Sequence, residues 1–327
     1  MSIRVGICGY GNIGKGAEAA FKDNPDLQLA GIFTRRDPEK LTSLSGAPVF
    51  SVSMLEKGEA DIDVLLLCSG SATDLPKQTP AFAARYNVVD SFDTHAAIPE
   101  HFSAVDAAAK TAGTCALISG GWDPGLFSML RVLGLCGLPN GRTETFWGRG
   151  VSQGHSDAIR RINGVLDARQ YTVPVPEAVE AVKAGRAGDL TPRMKHRREC
   201  FVVAAEGADL KQIEHDIVTM PHYFDEYDTT VTFITAEEMK KNHSEMPHAG
   251  LVLRTAKTGF SAEHKALAGF ELDMDSNPEF TGSVLLSFVR AVYKMHKDGV
   301  TGCLTPLDIP LAYLSPLPRE ELIRKYL

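Results

Sequence analysis

In the first third of the chain, short apolar runs alternate with stretches of helical spacing. The runs "IRVGICGY", "LQLAGIFTR", "DIDVLLLCSGS", "NVVDSFD" and "TCALISGG" are compact and apolar, which is typical of buried strands. Between them, "GKGAEAAFKDNP", "LPKQTPAFAARY" and "PEHFSAVDAAAKTAG" repeat apolar residues at the spacing of an amphipathic helix. Because strands alternate with helices, we predict an α/β fold with a Rossmann-type, doubly wound parallel sheet over residues 1–120.

The pattern changes after "GGWDPG". From residue 121 onward helix and strand signals mix, and runs such as "FVVAAEG", "DTTVTFIT" and "GLVLRTA" predict an antiparallel sheet covered by helices. We interpret residues 121–280 as an α+β domain for substrate binding and dimerisation. The later stretch "SVLLSFVRAVYKMHKDG" predicts a long amphipathic helix that ends before Gly299. We expect the segment 280–327 to pack back on the first domain.

Composition and charge exclude several function classes. A chain of 327 residues suits two domains, and 44% apolar with 23% charged residues is ordinary globular usage. The formal net charge of −7 argues against a nucleic-acid partner, because no basic field is present to attract phosphates. No apolar run approaches the roughly 20 residues that span a bilayer, so we expect no membrane partner.

The cysteines and histidines add no metal or disulfide signal. Six scattered cysteines, without a C-x-x-C pair or a secretory signal, favour reduced thiols and a cytoplasmic protein. His243 and His248 are close in sequence but lack the carboxylates and the helical spacing of a metal site, so we predict no metal.

The stretch "GYGNIG" carries the clearest chemistry. Gly9, Gly11 and Gly14 form G-x-G-x-x-G directly after a predicted strand and at the start of a predicted helix. The first glycine permits a tight turn, the second lets a pyrophosphate approach the backbone, and the third lets the helix pack on the strand. Phosphates then meet the N-terminus of the helix, where N–H groups and the dipole favour anions. This context predicts a dinucleotide cofactor; the alternative is an ordinary glycine-rich turn.

The end of the second strand indicates which dinucleotide. An NAD enzyme carries an acidic residue there to hold the adenosine ribose, whereas this chain has Thr34, Arg35 and Arg36. Guanidinium groups bind phosphate through charge-assisted, bidentate hydrogen bonds, so the pattern predicts NADP, whose 2′-phosphate lies beside that ribose. Two alternatives stay open: a solvated arginine pair, and Asp37 as a ribose ligand.

Further cofactor contacts are expected at the ends of the later strands, where "CSGSATD" supplies small residues for close backbone approach. The predicted cofactor-binding residues are Gly9, Tyr10, Gly11, Asn12, Ile13, Thr34, Arg35, Arg36, Cys68, Ser69, Gly70, Ser71, Ser91, Phe92, Gly121 and Trp122.

Several longer motifs point to one family. "VVDSFDTH", "SGGWDPG" and "FWGRGVSQGHSDAIRRI", with "GYGNIG", "FTRRDP", "SGSATDLP", "QYTVP" and "MPHAG", closely resemble the meso-diaminopimelate D-dehydrogenases, in the family's order and over almost the whole chain. The resemblance implies NADP-dependent, reversible oxidative deamination at the D-centre of meso-2,6-diaminopimelate, giving L-2-amino-6-oxopimelate and ammonia. It also implies a homodimer and a place in lysine biosynthesis.

Two aspartates are candidates for the reacting end of that substrate. Asp93 and Asp123 follow the fourth and fifth predicted strands, at the sheet edge where Rossmann ligands bind. Carboxylates there can hold an ammonium group, orient the α-hydrogen and take a proton from an attacking water. The alternatives are structural: Asp93 as a helix cap, and Asp123 in an Asx turn before Pro124.

The other end of the substrate is assigned by the resemblance. Arg198 is suited to the distal carboxylate, Thr172 and Asn277 add hydrogen bonds, and His248 donates one whether or not it is charged. Trp147 forms an apolar wall beside the methylene chain. The predicted substrate-binding residues are Asp93, Asp123, Trp147, Gln153, Thr172, Arg198, His248 and Asn277.

Two rival functions remain at this stage. Another NADP-dependent oxidoreductase on the same fold would share the cofactor site, but would not need two ammonium-binding aspartates and a carboxylate clamp. A non-catalytic NADP-binding sensor would need neither, and the charged groups in both parts of the predicted site count against it.

Overall fold

A computed structural model of the chain describes residues 2–327 and divides the protein into two compact units. Unit 1 comprises the chain up to Met129 together with Pro278–Leu327, and unit 2 comprises Leu130–Asn277. Within the described residues, no helix has both the length and the apolar character needed to cross a membrane.

Unit 1 is built on one parallel sheet. Its strands are β1 (Ile3–Cys8), β2 (Leu27–Thr34), β3 (Val49–Ser51), β4 (Val64–Leu67), β5 (Asn87–Asp90), β6 (Cys115–Leu117) and β14 (Gly302–Leu304). The order across the sheet is β14-β6-β5-β4-β1-β2-β3. From β1 the chain adds β2 and β3 on one side and then β4, β5, β6 and β14 on the other. The strand order therefore reverses between β1 and β4, which is the switch point of a Rossmann fold. The predicted fold class is confirmed, although the analysis of the sequence missed the short edge strands β3 and β14.

Helices cover both faces of this sheet. The helices of this part of the chain are α1 (Asn12–Ala20), α2 (Ser53–Lys57), α3 (Leu75–Ala83), α4 (Ile98–Ala112), α5 (Leu126–Gly137), which continues into unit 2, α11 (Asn277–Lys297), α12 (Leu311–Leu314) and α13 (Arg319–Tyr326). Short 3-10 helices lie at Phe21–Asp23, Pro38–Lys40, His95–Ala97 and Pro306–Asp308.

The strand β4 shows why the central runs are continuously apolar. Val64 and Leu66 belong to one buried cluster, which also holds Leu285 and Val289 of α11. Leu65 and Leu67 belong to a second cluster, with residues of α3 and α4. Because successive side chains of a strand point to opposite faces, a strand covered on both sides needs apolar residues at every position.

Unit 2 contains two sheets. Their strands are β7 (Arg142–Trp147), β8 (Gly150–Val151), β9 (Val165–Pro174), β10 (His196–Ala204), β11 (Asp228–Phe233), β12 (His248–Thr258) and β13 (His264–Met274). The four-stranded sheet has the order β11-β10-β9-β8, and the three-stranded sheet has the order β13-β12-β7. The helices are α6 (Gln153–Arg160), α7 (Pro176–Lys183), α8 (Pro192–Lys195), α9 (Leu210–Val218) and α10 (Ala236–Asn242).

This differs from the single antiparallel sheet that we expected. The β10–β11 pair is parallel, whereas the other pairs in unit 2 are antiparallel. The reason is the connection, because α9 lies between β10 and β11 and returns the chain to the same end of the sheet. Ile213 and Ile217 of α9 pack with Cys200 and Val202 of β10 in the core beneath this sheet.

Candidate active site

The glycine-rich turn has the geometry of a dinucleotide site. Gly9 follows β1 with φ +94°, a region that favours glycine. A Cβ on Gly14 would collide with the carbonyl oxygen of Gly9, so helix and turn require this close approach. Gly11 is the N-cap of α1, and a Cβ there would meet no other atom within 4 Å. The backbone at the start of α1 is therefore open on the side where Gly11 lacks a side chain, and the N-terminus of a helix is where an anion binds.

The two arginines that follow β2 are held in different ways. Arg36 donates from Nη2 to the carbonyl oxygen of Tyr10 at 2.9 Å, which fixes it against the glycine turn. Arg35 donates from its two terminal nitrogens to the Asp74 carboxylate at 2.8 and 2.9 Å. This hydrogen-bonded pairing lowers the pKa of Asp74, so the carboxylate is charged near neutral pH.

Asp37, the alternative ribose ligand, has a local role. Its side chain accepts a hydrogen bond from the N–H of Glu39 at 3.2 Å and caps the 3-10 helix Pro38–Lys40. It does not line the cleft at the end of β2. The end of β2 thus presents cations and no carboxylate of its own.

A cleft of about 360 Å³ joins these features at the carboxyl ends of β1, β2 and β4. Nine of the sixteen predicted cofactor residues line it: Gly9, Tyr10, Gly11, Thr34, Arg35, Arg36, Cys68, Ser69 and Gly70. The other seven lie outside its lining: Asn12, Ile13, Ser71, Ser91, Phe92, Gly121 and Trp122. Four lining residues were missed by the sequence analysis: Cys8, Phe33, Asp74 and Gln78.

The thiols in this cleft are not poised for nucleophilic chemistry. Burial raises the pKa of Cys8 to about 12 and raises that of Cys68 further. Both are therefore neutral at physiological pH and serve as packing groups.

Asp93 and Asp123 lie where the sequence places them, beyond the ends of β5 and β6. Asp93 is exposed, and its backbone N–H donates to the Ser71 hydroxyl at 2.9 Å. The helix-cap alternative does not hold for Asp93, because Thr94 is the N-cap of the next 3-10 helix and Ala97 that of α4. Asp123 is half-buried and occupies, with Pro124, the turn between Trp122 and Gly125.

In unit 2, the most informative side chain is Arg198. It is 7% exposed, and its guanidinium lies 3.9 Å from the ring centre of Tyr227 and donates to the Thr172 hydroxyl. Thr172 faces Arg198 across the β9–β10 ladder. Nε of Arg198 is buried without a hydrogen-bond acceptor, and no carboxylate of the described residues pairs with this cation. A buried guanidinium in this state can bind an anion, since an unpaired buried charge is costly.

His248 lies next to this group. A Cβ on Gly150 would collide with the His248 ring, and Gly150 is paired with Thr172 between β8 and β9. Nδ1 of His248 lies 2.9 Å from the carbonyl oxygen of Ala249, which can only accept, so Nδ1 carries the proton. The neutral ring therefore presents a lone pair at Nε2, and it can donate from Nε2 only when it is charged. The expectation that His248 donates a hydrogen bond to the substrate stays a prediction.

Trp147 contacts His196, a residue that was not predicted from the sequence. Its backbone N–H donates to Nε2 of His196 at 2.9 Å, and the two rings lie 5.4 Å apart. Burial lowers the pKa of His196 to about 3, so this ring is neutral and accepts. Burial also lowers the pKa of His155 to about 4, with a further contribution from the charge of Arg198.

The two remaining predicted residues lie at helix starts. Gln153 is exposed at the beginning of α6, directly after the N-cap Ser152. Asn277 is half-buried at the beginning of α11, and its backbone N–H donates to the carbonyl oxygen of Met246 at 2.9 Å. The described residues contain no group of three or more potential metal ligands.

Comparison with known proteins places this arrangement in a family. The chain is 55% identical over 326 residues to the meso-diaminopimelate D-dehydrogenase of Acetivibrio thermocellus, covering 99% of this chain and 98% of that one. The chain belongs to the meso-diaminopimelate D-dehydrogenase family. Residues 121–276 also match the family model of the diaminopimelic acid dehydrogenase C-terminal domain.

Two solved structures resemble this family member closely. One is the Corynebacterium glutamicum DAP dehydrogenase in complex with DAP, with a TM-score of 0.92, 44% identity, and coverage of 100% of this chain and 99% of that one. The other is an engineered D-amino acid dehydrogenase bound to NADP+, with a TM-score of 0.88, 43% identity and full coverage of both chains. The identification of the family from the sequence motifs is confirmed.

Proposed function

We propose that this chain catalyses the NADP-dependent, reversible oxidative deamination of the D-centre of meso-2,6-diaminopimelate to L-2-amino-6-oxopimelate and ammonia. The observation that carries the proposal is the buried Arg198, which has no carboxylate partner among the described residues. A guanidinium in this state is suited to bind a carboxylate of the substrate. The charges of Asp93 and Asp123 serve an ammonium group in the same way.

The residues of unit 1 fit NADP. Gly9, Gly11 and the start of α1 would hold the pyrophosphate, and Arg35 and Arg36 would bind the 2′-phosphate. The fit rests on the open space at Gly11 and on the two arginines that line the cleft after β2. Asp37 does not line this cleft, and the Asp74 carboxylate that does is paired with Arg35. When bound, the nicotinamide of NADP+ accepts the hydride that leaves the α-carbon.

Asp93 and Asp123 act on the reacting end of the substrate. Two carboxylates hold the D-ammonium group, and this orients the α-hydrogen. The ammonium group first gives a proton to one carboxylate, and loss of the hydride then turns the carbon–nitrogen bond into an iminium. A carboxylate takes a proton from the attacking water and passes one to nitrogen, and loss of the hydroxyl proton expels ammonia and leaves the keto group. Oxygen from water replaces nitrogen, and the two electrons leave as the hydride.

The distal end is held by groups of unit 2. Arg198 binds the distal carboxylate, with hydrogen bonds from Thr172 and Asn277 and from the charged form of His248. Trp147 forms an apolar wall beside the methylene chain. Gln153, at the start of α6, completes the substrate-binding set.

The assembly that we propose is a homodimer, acting in lysine biosynthesis in the cytoplasm. The support is β13, which pairs only with β12 in the described sheet and leaves its other edge open. Leu267 is 45% exposed and Phe270 is 36% exposed on this strand. An open edge with exposed apolar residues favours association with another chain. We expect a dimer mass in light scattering, and a monomer for Leu267→Lys with Phe270→Lys; the exposed Leu311→Lys in unit 1 is the matched control.

The activity is tested by NADPH absorbance. Purified protein is mixed with NADP+ and meso-, LL- or DD-diaminopimelate, with glucose and other amino acids as the rival substrates. We expect rapid reduction with the meso isomer and little with the others, since only the meso isomer offers a D-ammonium group to Asp93 and Asp123 together with an L-configured distal carboxylate to the buried Arg198. Equal use of the LL and meso isomers would refute the two-ended pocket, and no reaction with the meso isomer would refute the function.

A further inference from the structure

Asp90 is a buried carboxylate that the proposed chemistry does not use. It is the last residue of β5, has no exposed surface, and accepts four hydrogen bonds through its two carboxylate oxygens. A polar side chain in the core is costly unless it is hydrogen-bonded, so four hydrogen bonds to one buried side chain indicate a role beyond packing.

One oxygen of Asp90 joins the two loops that carry the acidic pair. Oδ1 accepts from the N–H of Phe92 at 3.0 Å and from the N–H of Ser119 at 2.9 Å. The backbone carbonyl of Asp90 also accepts from the N–H of Gly120 at 2.8 Å. The pairing between β5 and β6 ends at Val89, one residue before Asp90. The hydrogen bonds of Asp90 therefore connect the two chain segments beyond the point where strand pairing stops.

The backbone at this point is unusual. Ser119 has φ +58°, a left-handed conformation that L residues with a side chain adopt rarely. Such a conformation persists only where the surroundings fix it. The hydrogen bond to Asp90 fixes the N–H of Ser119, four positions before Asp123.

The other oxygen of Asp90 is anchored to two helices. Oδ2 accepts from the Thr79 hydroxyl of α3 at 2.7 Å and lies 2.7 Å from Nε2 of His101 on α4. The His101 ring in turn stacks on Phe92 at 4.2 Å between centres. The helices α3 and α4 therefore fix the carboxylate through Oδ2, while Oδ1 binds the two loops.

We infer that Asp90 is a positioning residue that sets the places of Asp93 and Asp123 by tying their loops together. The inference rests on the proposed function of these two aspartates. Asp93 is one residue beyond Phe92, and Asp123 is three beyond Gly120, so a shift of either loop moves a reacting carboxylate. Displacements of about 1 Å in such groups lower rates by roughly 100-fold.

The test compares Asp90→Ala and Asp90→Asn with Thr79→Val. In Asp90→Asn the amide oxygen can still accept from both loop N–H groups, while its NH2 group donates to Thr79 and His101. Thr79→Val removes one donor to Oδ2 and leaves Oδ1 untouched. We expect kcat to fall about 100-fold in Asp90→Ala and to stay within about 5-fold in the other two variants. The ratio of NADP+ to NAD+ affinity should change by less than about 3-fold in all of them, because the cleft around Arg35 and Arg36 is unaffected.

A second readout is independent of activity. Hydrogen exchange in peptides covering residues 91–96 and 119–125 should speed up at least about 10-fold in Asp90→Ala, and remain unchanged in Thr79→Val. Equal loss of kcat in the alanine and Thr79 variants, or wild-type kcat in folded Asp90→Ala, would overturn the inference. If Asp90→Ala does not fold, a 100-fold loss in folded Asp90→Asn, or wild-type kcat in the longer Asp90→Glu, would overturn it. If the wild type lacks the proposed activity but the exchange result holds, the function fails and the connection between the loops stands.

Discussion

The NADP preference assigned to Arg35 and Arg36 can be tested by replacing both with methionine. Each arginine would make charge-assisted hydrogen bonds to the 2′-phosphate, and each such bond contributes about 1.5–3 kcal/mol. The lower end applies here, since the Arg35 side chain is 63% exposed and already pairs with Asp74. Two bonds at about 1.5 kcal/mol give about 3 kcal/mol, which is about a 100-fold loss of affinity.

The assay is the dissociation constant of NADP+ and of NAD+, measured by fluorescence titration and by KM in steady-state kinetics. NAD+ lacks the 2′-phosphate, so we expect its affinity to change by less than about 3-fold. Arg4→Met is the matched control, because Arg4 is a partly exposed arginine of the same unit that pairs with Asp61 outside the cleft. Equal losses for NADP+ and NAD+ in the double variant would refute the assignment of these arginines to the phosphate.

Three further predictions concern the reaction and stability. Asp93→Asn and Asp123→Asn should each lower kcat at unchanged NADP affinity, and the double variant should lose much less than the product of the single losses; multiplicative losses in kcat would show that the two act on separate groups. The double variant Arg198→Met with His248→Asn should lower kcat/KM for meso-diaminopimelate, because distal binding no longer positions the substrate. Its activity on a simple D-amino acid, relative to that on meso-diaminopimelate, should rise. An unchanged ratio of the two activities would contradict the role of Arg198 and His248 in holding the distal end. Burial lowers the pKa of His155 from 6.5 to about 4, so the unfolded chain binds more protons in this range and stability falls as the pH drops from 6.5 towards 4. His155→Gln should flatten that part of the profile of Tm against pH, and an unchanged slope would contradict it.

The sequence determined the features that depend on neighbours along the chain. The turn at Gly9, Gly11 and Gly14 follows from backbone conformation and from one turn of helix, so a short motif suffices to predict it. The continuous apolar run of β4 likewise indicates a strand that is buried on both faces. The parallel β10–β11 pair was missed because runs of alternating residues do not encode strand direction, which the intervening helix decides.

Contacts between distant segments were decided only by the tertiary structure. Asp74 lies 39 residues from Arg35, Ser119 lies 29 from Asp90, and His196 lies 49 from Trp147. In the sequence, each of these residues is an ordinary polar residue near a strand or helix end. The sheet brings the ends of its strands to one edge, and only there do a carboxylate and a guanidinium, or a carboxylate and two loop N–H groups, come within hydrogen-bond distance. The chain thus encodes the cofactor turn locally, whereas the groups that orient its charged residues exist only after folding.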